Sequence, residues 1–177
     1  MHGDQWQLLA AYNALMNDKV YAAAARLTVE ELQQDRKAFF GSIFGTLNHL
    51  AVADTIWLKR FRTNLPESTA LAAVDQFQLP QRLNQVLFDG LPELTQYRKN
   101  LDQLITAWIT SLTEAELASV VQYKNMKGAA SSRYLSLLLL HFFNHQTHHR
   151  GQAIDLLFQA GQDVGVTDLL PLVPEAI

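Results

Sequence analysis

The sequence predicts an all-α fold built on four long helices, with one long crossover between the second and the third. The first observation is that apolar residues recur at helical spacing over residues 4–27, 40–62, 91–112 and 132–160. The second is that 49% of the 177 residues are hydrophobic, enough for a core without disulfides in one domain spanning residues 1–177. The third is that no internal repeat or linker divides the chain.

The connections between these helices carry their own signals. Capping boxes at residues 28–31 and 113–116 predict two short helical turns. Residues 63–91, with Pro and Gly and only weak helical character at 81–88, form an unusually long connection. We expect this crossover to pass over one end of the helices and to cover a site. Residues 120–132 favour a short β-hairpin before the last helix, with its turn at Lys127 and Gly128.

Composition excludes several classes of protein. The chain has no cysteine, so a metal site would need nitrogen and oxygen ligands. The N-terminus lacks the features of a signal peptide, and no apolar run approaches the roughly 20 residues of a membrane span. We therefore expect a cytoplasmic protein with no membrane partner. The formal net charge of −3 and the scattered Lys and Arg residues argue against nucleic acid as a partner.

Four of the six histidines fall within nine residues of the last predicted helix. At about 100° per residue, His141, His145, His148 and His149 lie within roughly 100° of one another on the helical wheel. Histidines at i and i+4 can share one metal ion, and two such pairs exist here. The alternative is a set of hydrogen-bonded core histidines, although burying four imidazoles without partners is costly. Spacing therefore favours a metal site and leaves its third ligand open.

A fifth histidine, His49, lies on the second predicted helix among small residues. Ser42, Gly45 and Ala53 share its face of the wheel and leave space for an ion, a water or a ligand. The alternative is that Gly45 and Ala53 only permit close packing of helices.

Two stretches of the sequence resemble the DinB family, of the DinB/YfiT-like metalloenzyme superfamily. The first contains Phe39-Phe-Gly-Ser42, Gly45-Thr-Leu-Asn-His49 and Asp54-Thr-Ile-Trp57. The second is Asn144-His-Gln-Thr-His-His-Arg-Gly-Gln152. Weaker matches at residues 12–13, 123–128 and 165–168 extend the resemblance over nearly the whole chain. The family name refers to damage-inducible expression of the founding member and does not imply DNA binding.

The resemblance implies an up-down-down-up four-helix bundle that holds one divalent metal. Carried over residue by residue, the metal ligands are His49, His145 and His149. Zinc or nickel is expected, with iron or manganese as alternatives. His141 and His148 are then expected to support the ligands or to pack beside them without binding the metal, although spacing alone does not exclude the two histidines. Gln152 is expected to orient a ligand.

Three functions remain open at this stage. Relatives in the superfamily conjugate or isomerise small electrophiles with a low-molecular-weight thiol, so the resemblance implies a metal-dependent, thiol S-transferase-like enzyme acting on a small-molecule substrate. The second possibility is a hydrolase that uses metal-bound hydroxide, but Asp54 lies about 140° from His49 on the wheel and no other general base is evident. The third is a non-catalytic protein that binds a metal or a stress ligand.

The last expectation is a homodimer built on the second and fourth long helices. Both helices are apolar opposite their histidines as well as beside them, and a helix that is apolar on both sides is normally buried on both sides. The opposite face carries Leu47, Ala51 and Leu58 on one helix and Leu139, Phe143, Ile154 and Leu157 on the other. The crossover and the C-terminal tail are the alternative cover.

Overall fold

A computed structural model describes residues 3–175 and places seven α-helices and two β-strands along the chain. The helices are α1 (Gly3–Ala24), α2 (Val29–Gln33), α3 (Ile43–Asn64), α4 (Thr69–Ala72), α5 (Leu91–Ser111), α6 (Glu114–Leu117) and α7 (Leu135–Gln159). The strands are β1 (Val120–Lys124) and β2 (Ala130–Tyr134). Within residues 3–175, no helix is both long enough and apolar enough to cross a membrane.

The four long helices, α1, α3, α5 and α7, form an up-down-down-up bundle. Helix α3 runs parallel to α5 and antiparallel to α7, while α1 runs parallel to α7. Two contacts show the direction of each helix pair. Between α3 and α5 they are Thr55 with Tyr97 and Phe61 with Trp108, and between α3 and α7 they are His49 with His149 and Trp57 with His141. Between α1 and α7 they are Trp6 with Phe143 and Asn13 with Arg150. The predicted fold class is confirmed.

Local sequence signals explain where the helices begin. Ser42 caps α3, its side chain accepting a hydrogen bond from the Gly45 amide. Thr28 and Thr113 each form the predicted capping box, at the starts of α2 and α6. Proline in the first turn of α5 suits a position whose amide has no partner within the helix.

The two predicted connections are present, with one difference. Strands β1 and β2 pair antiparallel as the short hairpin expected before the last helix. The crossover links the parallel helices α3 and α5, and its helical part is α4 with a 3₁₀ turn at Ala73–Gln76. The weak helical character expected at residues 81–88 does not appear in the fold, where this segment runs as bends, a turn and irregular chain against α3. The Leu87 amide donates to the Asn48 side chain there.

A buried ionic cluster lies at the centre of the bundle. Its members are almost fully buried and come from all four long helices: Asn13, Asn17, Asp54, Arg98, Asp102 and Arg150. Arg98 pairs with Asp54 on α3 and with Asp102 one turn along α5. Arg150 on α7 donates to Asn13 of α1. Two cations and two carboxylates therefore compensate one another where water is excluded.

The face on which the homodimer prediction rested is buried inside one chain. The side chains of Leu47, Ala51, Leu58, Leu139 and Leu157 are 0% exposed, Phe143 is 4% exposed, and Ile154 packs partly buried on the same core. The premise of an uncovered stripe was wrong, because α1, α5 and the connecting segments cover both sides of α3 and α7. The homodimer stays a prediction, without support from this face.

The ionic cluster generates a prediction about stability. Arg98→Met should lower the free energy of unfolding by about 3–5 kcal/mol, since it leaves buried Asp54 and Asp102 without their shared cation. Arg62→Met removes the more exposed ion pair with Asp75 and should cost less than about 1 kcal/mol. Urea unfolding followed by circular dichroism measures both variants. Equal losses in the two would contradict a structural role for the cluster.

Candidate metal centre

Helices α3 and α7 bring the three predicted metal ligands together. One ring nitrogen from each of His49, His145 and His149 lies within 4.8 Å of the others. The ring centroid of His149 lies 4.5 Å from that of His49 and 4.4 Å from that of His145. His145 and His149 project from successive turns of α7, and the antiparallel α3 presents His49 opposite them. This group could hold a metal ion.

Hydrogen bonds occupy the Nδ1 atoms of His49 and His149 and leave their Nε2 atoms free. His49 Nδ1 lies 2.9 Å from Leu83 O, so Nδ1 carries the proton and donates to this carbonyl of the crossover. His49 Nε2 is then an acceptor, and it is buried without a hydrogen-bond partner among the described residues. His149 Nδ1 donates in the same way to Gln152 Oε1 at 2.8 Å. Such bonds to the far nitrogen fix the tautomer and orientation of metal-binding histidines.

Phe40 closes one side of the histidine group. Its ring stacks on His49 with centroids 3.8 Å apart and meets His149 edge-on at 5.4 Å. The loop that carries Phe40 lies so close to α3 that a Cβ on Gly45 would clash with Phe40 O. Gly45 therefore permits close packing, as one of its two sequence interpretations held, but against this loop rather than against another helix.

The three residues expected to support the ligands differ in what they contact. Gln152 bonds to His149, and its Nε2 donates to His148 Nε2 at 3.2 Å. His148 also meets the ring of His149 edge-on, with centroids 4.8 Å apart. His141 packs edge-on against Trp57 at 5.3 Å, with its ring centroid 5.8 Å from that of His145. Its described contacts are with aromatic rings, so the packing role is the one that the geometry supports.

Burial keeps the histidine group neutral. Desolvation lowers the pKa of His49 to about 4 and that of His145 to about 3, with neighbouring histidines adding to the effect. Desolvation also lowers the pKa of His149, partly offset by its bond to Gln152. Neutral imidazole is the form that binds metals, so the three histidines are in a form that could hold an ion at neutral pH.

Sequence reasoning missed two contacts of this site. Nothing in the sequence singled out Leu83, because any residue of the crossover could supply a backbone carbonyl. Phe40 directly precedes the small-residue motif of α3, but aromatic rings next to a histidine are usually part of the core. Asp54 is confirmed as remote from this chemistry, since it is buried against Arg98.

The lowered pKa values predict the pH dependence of the metal-free protein. Between pH 6.5 and about 4, the unfolded chain binds protons at His49 and His145 that the folded chain does not, so stability should fall as the pH falls. His145→Asn should flatten this dependence, whereas His148→Asn, at an exposed position of the same helix, should retain it. Thermal melts with a chelator, from pH 7 to 4, give the comparison. Identical slopes in both variants would refute the assignment.

Comparison with known proteins identifies the family of the chain. The sequence profile of the DinB family matches residues 2–174. Protein DinB of Bacillus subtilis (strain 168) is 27% identical over 161 residues, which cover 90% of this chain and 88% of that protein. No solved structure matches the chain significantly. Because the family profile spans almost the entire sequence, the chain belongs to the DinB family.

Proposed function

We propose that this protein is a metal-dependent enzyme of the thiol S-transferase type, in which His49, His145 and His149 hold one divalent transition metal. The observation that carries the proposal is the histidine group itself: three neutral imidazoles converge, and no carboxylate belongs to the group within residues 3–175. Three nitrogen ligands with a free position are typical of catalytic rather than structural metal sites. Zinc and nickel suit such ligands best, and iron and manganese are alternatives.

A bound divalent cation would lower the pKa of a thiol or a water at its free position. The protein orients the ligands through Leu83 O and Gln152 and excludes water on the Phe40 side. The half-burial of His145 and His149 leaves a route for substrates along α7. In the proposed reaction, a low-molecular-weight thiol releases its proton to water, its sulfur bonds to an electrophilic carbon, and the leaving group departs with the bonding electrons.

The two alternatives make different demands on the site. A hydrolase needs a general base beside the bound water. Within residues 3–175, the carboxylates of the bundle core are engaged by Arg98, and the histidine group contains none. A non-catalytic binding protein needs only the metal. Activity measurements therefore separate it from the transferase.

The first test concerns the metal. Purified protein should contain about one divalent transition metal per chain, and His49→Ala, His145→Ala and His149→Ala should each lose it. His141→Ala and His148→Ala should retain it, since neither side chain belongs to the group. Gln152→Leu should weaken binding by roughly 10–100-fold, because it removes the acceptor that orients His149. Elemental analysis after dialysis reports occupancy, and a fully occupied His145→Ala variant would refute the site.

The second test concerns the reaction. Metal-loaded protein should accelerate the conjugation of 1-chloro-2,4-dinitrobenzene with one of cysteine, glutathione or coenzyme A, in a saturable manner. The rate should fall to background in His145→Ala and persist in His148→Ala. Transfer is followed by the absorbance of the thioether product. Hydrolysis is measured in a second assay, by the absorbance of p-nitrophenol released from p-nitrophenyl acetate. Metal occupancy without either activity would favour the binding protein.

A further inference from the structure

A cavity of about 520 Å³ lies where the hairpin meets α3 and α7. Most of its wall is apolar or aromatic and comes from Trp57, Tyr123, Tyr134, Leu137, Leu138 and His141. Its volume suits one small molecule. We refer to it as the hairpin cavity.

The hairpin cavity adjoins the proposed metal centre through His141. The ring of His141 lines the cavity and lies 5.8 Å from the ring of the proposed ligand His145. His145 follows His141 by four positions along the helix, a rise of about 6 Å. A ligand whose body occupies the cavity can therefore reach the metal centre with a short extension past His141.

One arginine lines the cavity, and a second lies over two residues of its wall from a neighbouring cavity; neither has a carboxylate partner among the ion pairs of the described residues. Arg133 lines it directly. The Arg60 guanidinium lies 4.7 Å from the ring centroid of Trp57 and 4.9 Å from that of Tyr123, two residues of the cavity wall. Arg60 donates to Lys124 O, and none of the ion pairs in residues 3–175 includes either arginine. Desolvation lowers the pKa of Arg60, as expected where no anion offsets its burial.

The positive charge extends beyond these arginines. Two adjoining cavities around the hairpin contain Lys59 and Lys124 in their walls. Among the described residues, no aspartate or glutamate lines any of the three cavities. The chain as a whole has a formal net charge of −3, so this surface has the opposite sign to the protein. It would attract anions and repel cations.

We propose that the hairpin cavity binds the apolar body of an aromatic substrate that carries an anionic group, neutralised by Arg133 and Arg60. The proposal rests on the transferase function, because it assigns the class of electrophile that the metal centre acts on. The aromatic walls contact the arene, the arginines contact the anion, and the reactive carbon points past His141 toward the metal. Elongated aryl sulfonates or carboxylates with an electrophilic group at the opposite end fit this arrangement.

Binding is tested with naphthalene-2-sulfonate and its neutral counterpart methyl 2-naphthyl sulfone. Neither probe contains a reactive electrophile, so the result does not depend on transferase activity. Calorimetry on the metal-loaded protein should show tighter binding of the sulfonate, and Arg133→Gln or Arg60→Gln should each weaken it by on the order of tenfold while sparing the sulfone. Equal affinity for the two probes, or loss of sulfonate binding on metal removal, would overturn the proposal.

Two exposed leucines of α7 provide the matched control. Leu137 lines the cavity and is 60% exposed, while Leu140 is 47% exposed and does not line it. Leu137→Glu should abolish sulfonate binding by placing a like charge in the cavity, and Leu140→Glu should retain it. Both should fold, because neither side chain belongs to the core. Equal binding by the two variants would refute the assignment.

Discussion

The buried ionic cluster is the constraint on which the arrangement of the helices depends. On α3, Asp54 follows His49 by five residues and points about 140° away from it. On α7, Arg150 follows His149 directly and points about 100° away. Each of the two helices that carry the histidine group is therefore held from its core side by a charged contact, while its histidines face the other helix. The rotation of both helices is fixed by charged residues that lie outside the histidine group.

Charged groups fix this geometry in a way that an apolar centre would not. Hydrogen bonds of the cluster are directional, whereas aliphatic contacts tolerate rotation and sliding of a helix. Burying two arginines and two carboxylates carries a large desolvation cost, and apolar residues of equal volume often give higher stability. The cluster is thus best understood as specifying helix register. A shift of one turn in α3 would move His49 by about 5.4 Å and separate it from the histidines of α7.

Relations between residues of one helix could be predicted from the sequence, whereas contacts between distant segments of the chain could not. His145 and His149 share a helix, so their spacing alone indicated a common ligand site. His49 is distant in the chain, and only the resemblance to the DinB family connected it to them. The Leu83 carbonyl had no signal at all, since backbone groups are identical in every residue. The prediction of an exposed dimer face was wrong because the apolar residues of one helix do not show which other segments of the chain cover them, as the buried Leu139 shows.

A metal in the histidine group would link its own binding to folding. His49 Nε2 is a buried acceptor without a partner among the described residues, and such a group costs roughly 1–3 kcal/mol. A metal at this nitrogen would remove that cost and would bind the folded chain in preference to the unfolded one. The same ion would join α3 to α7 at the end of the bundle where the crossover is attached through Leu83.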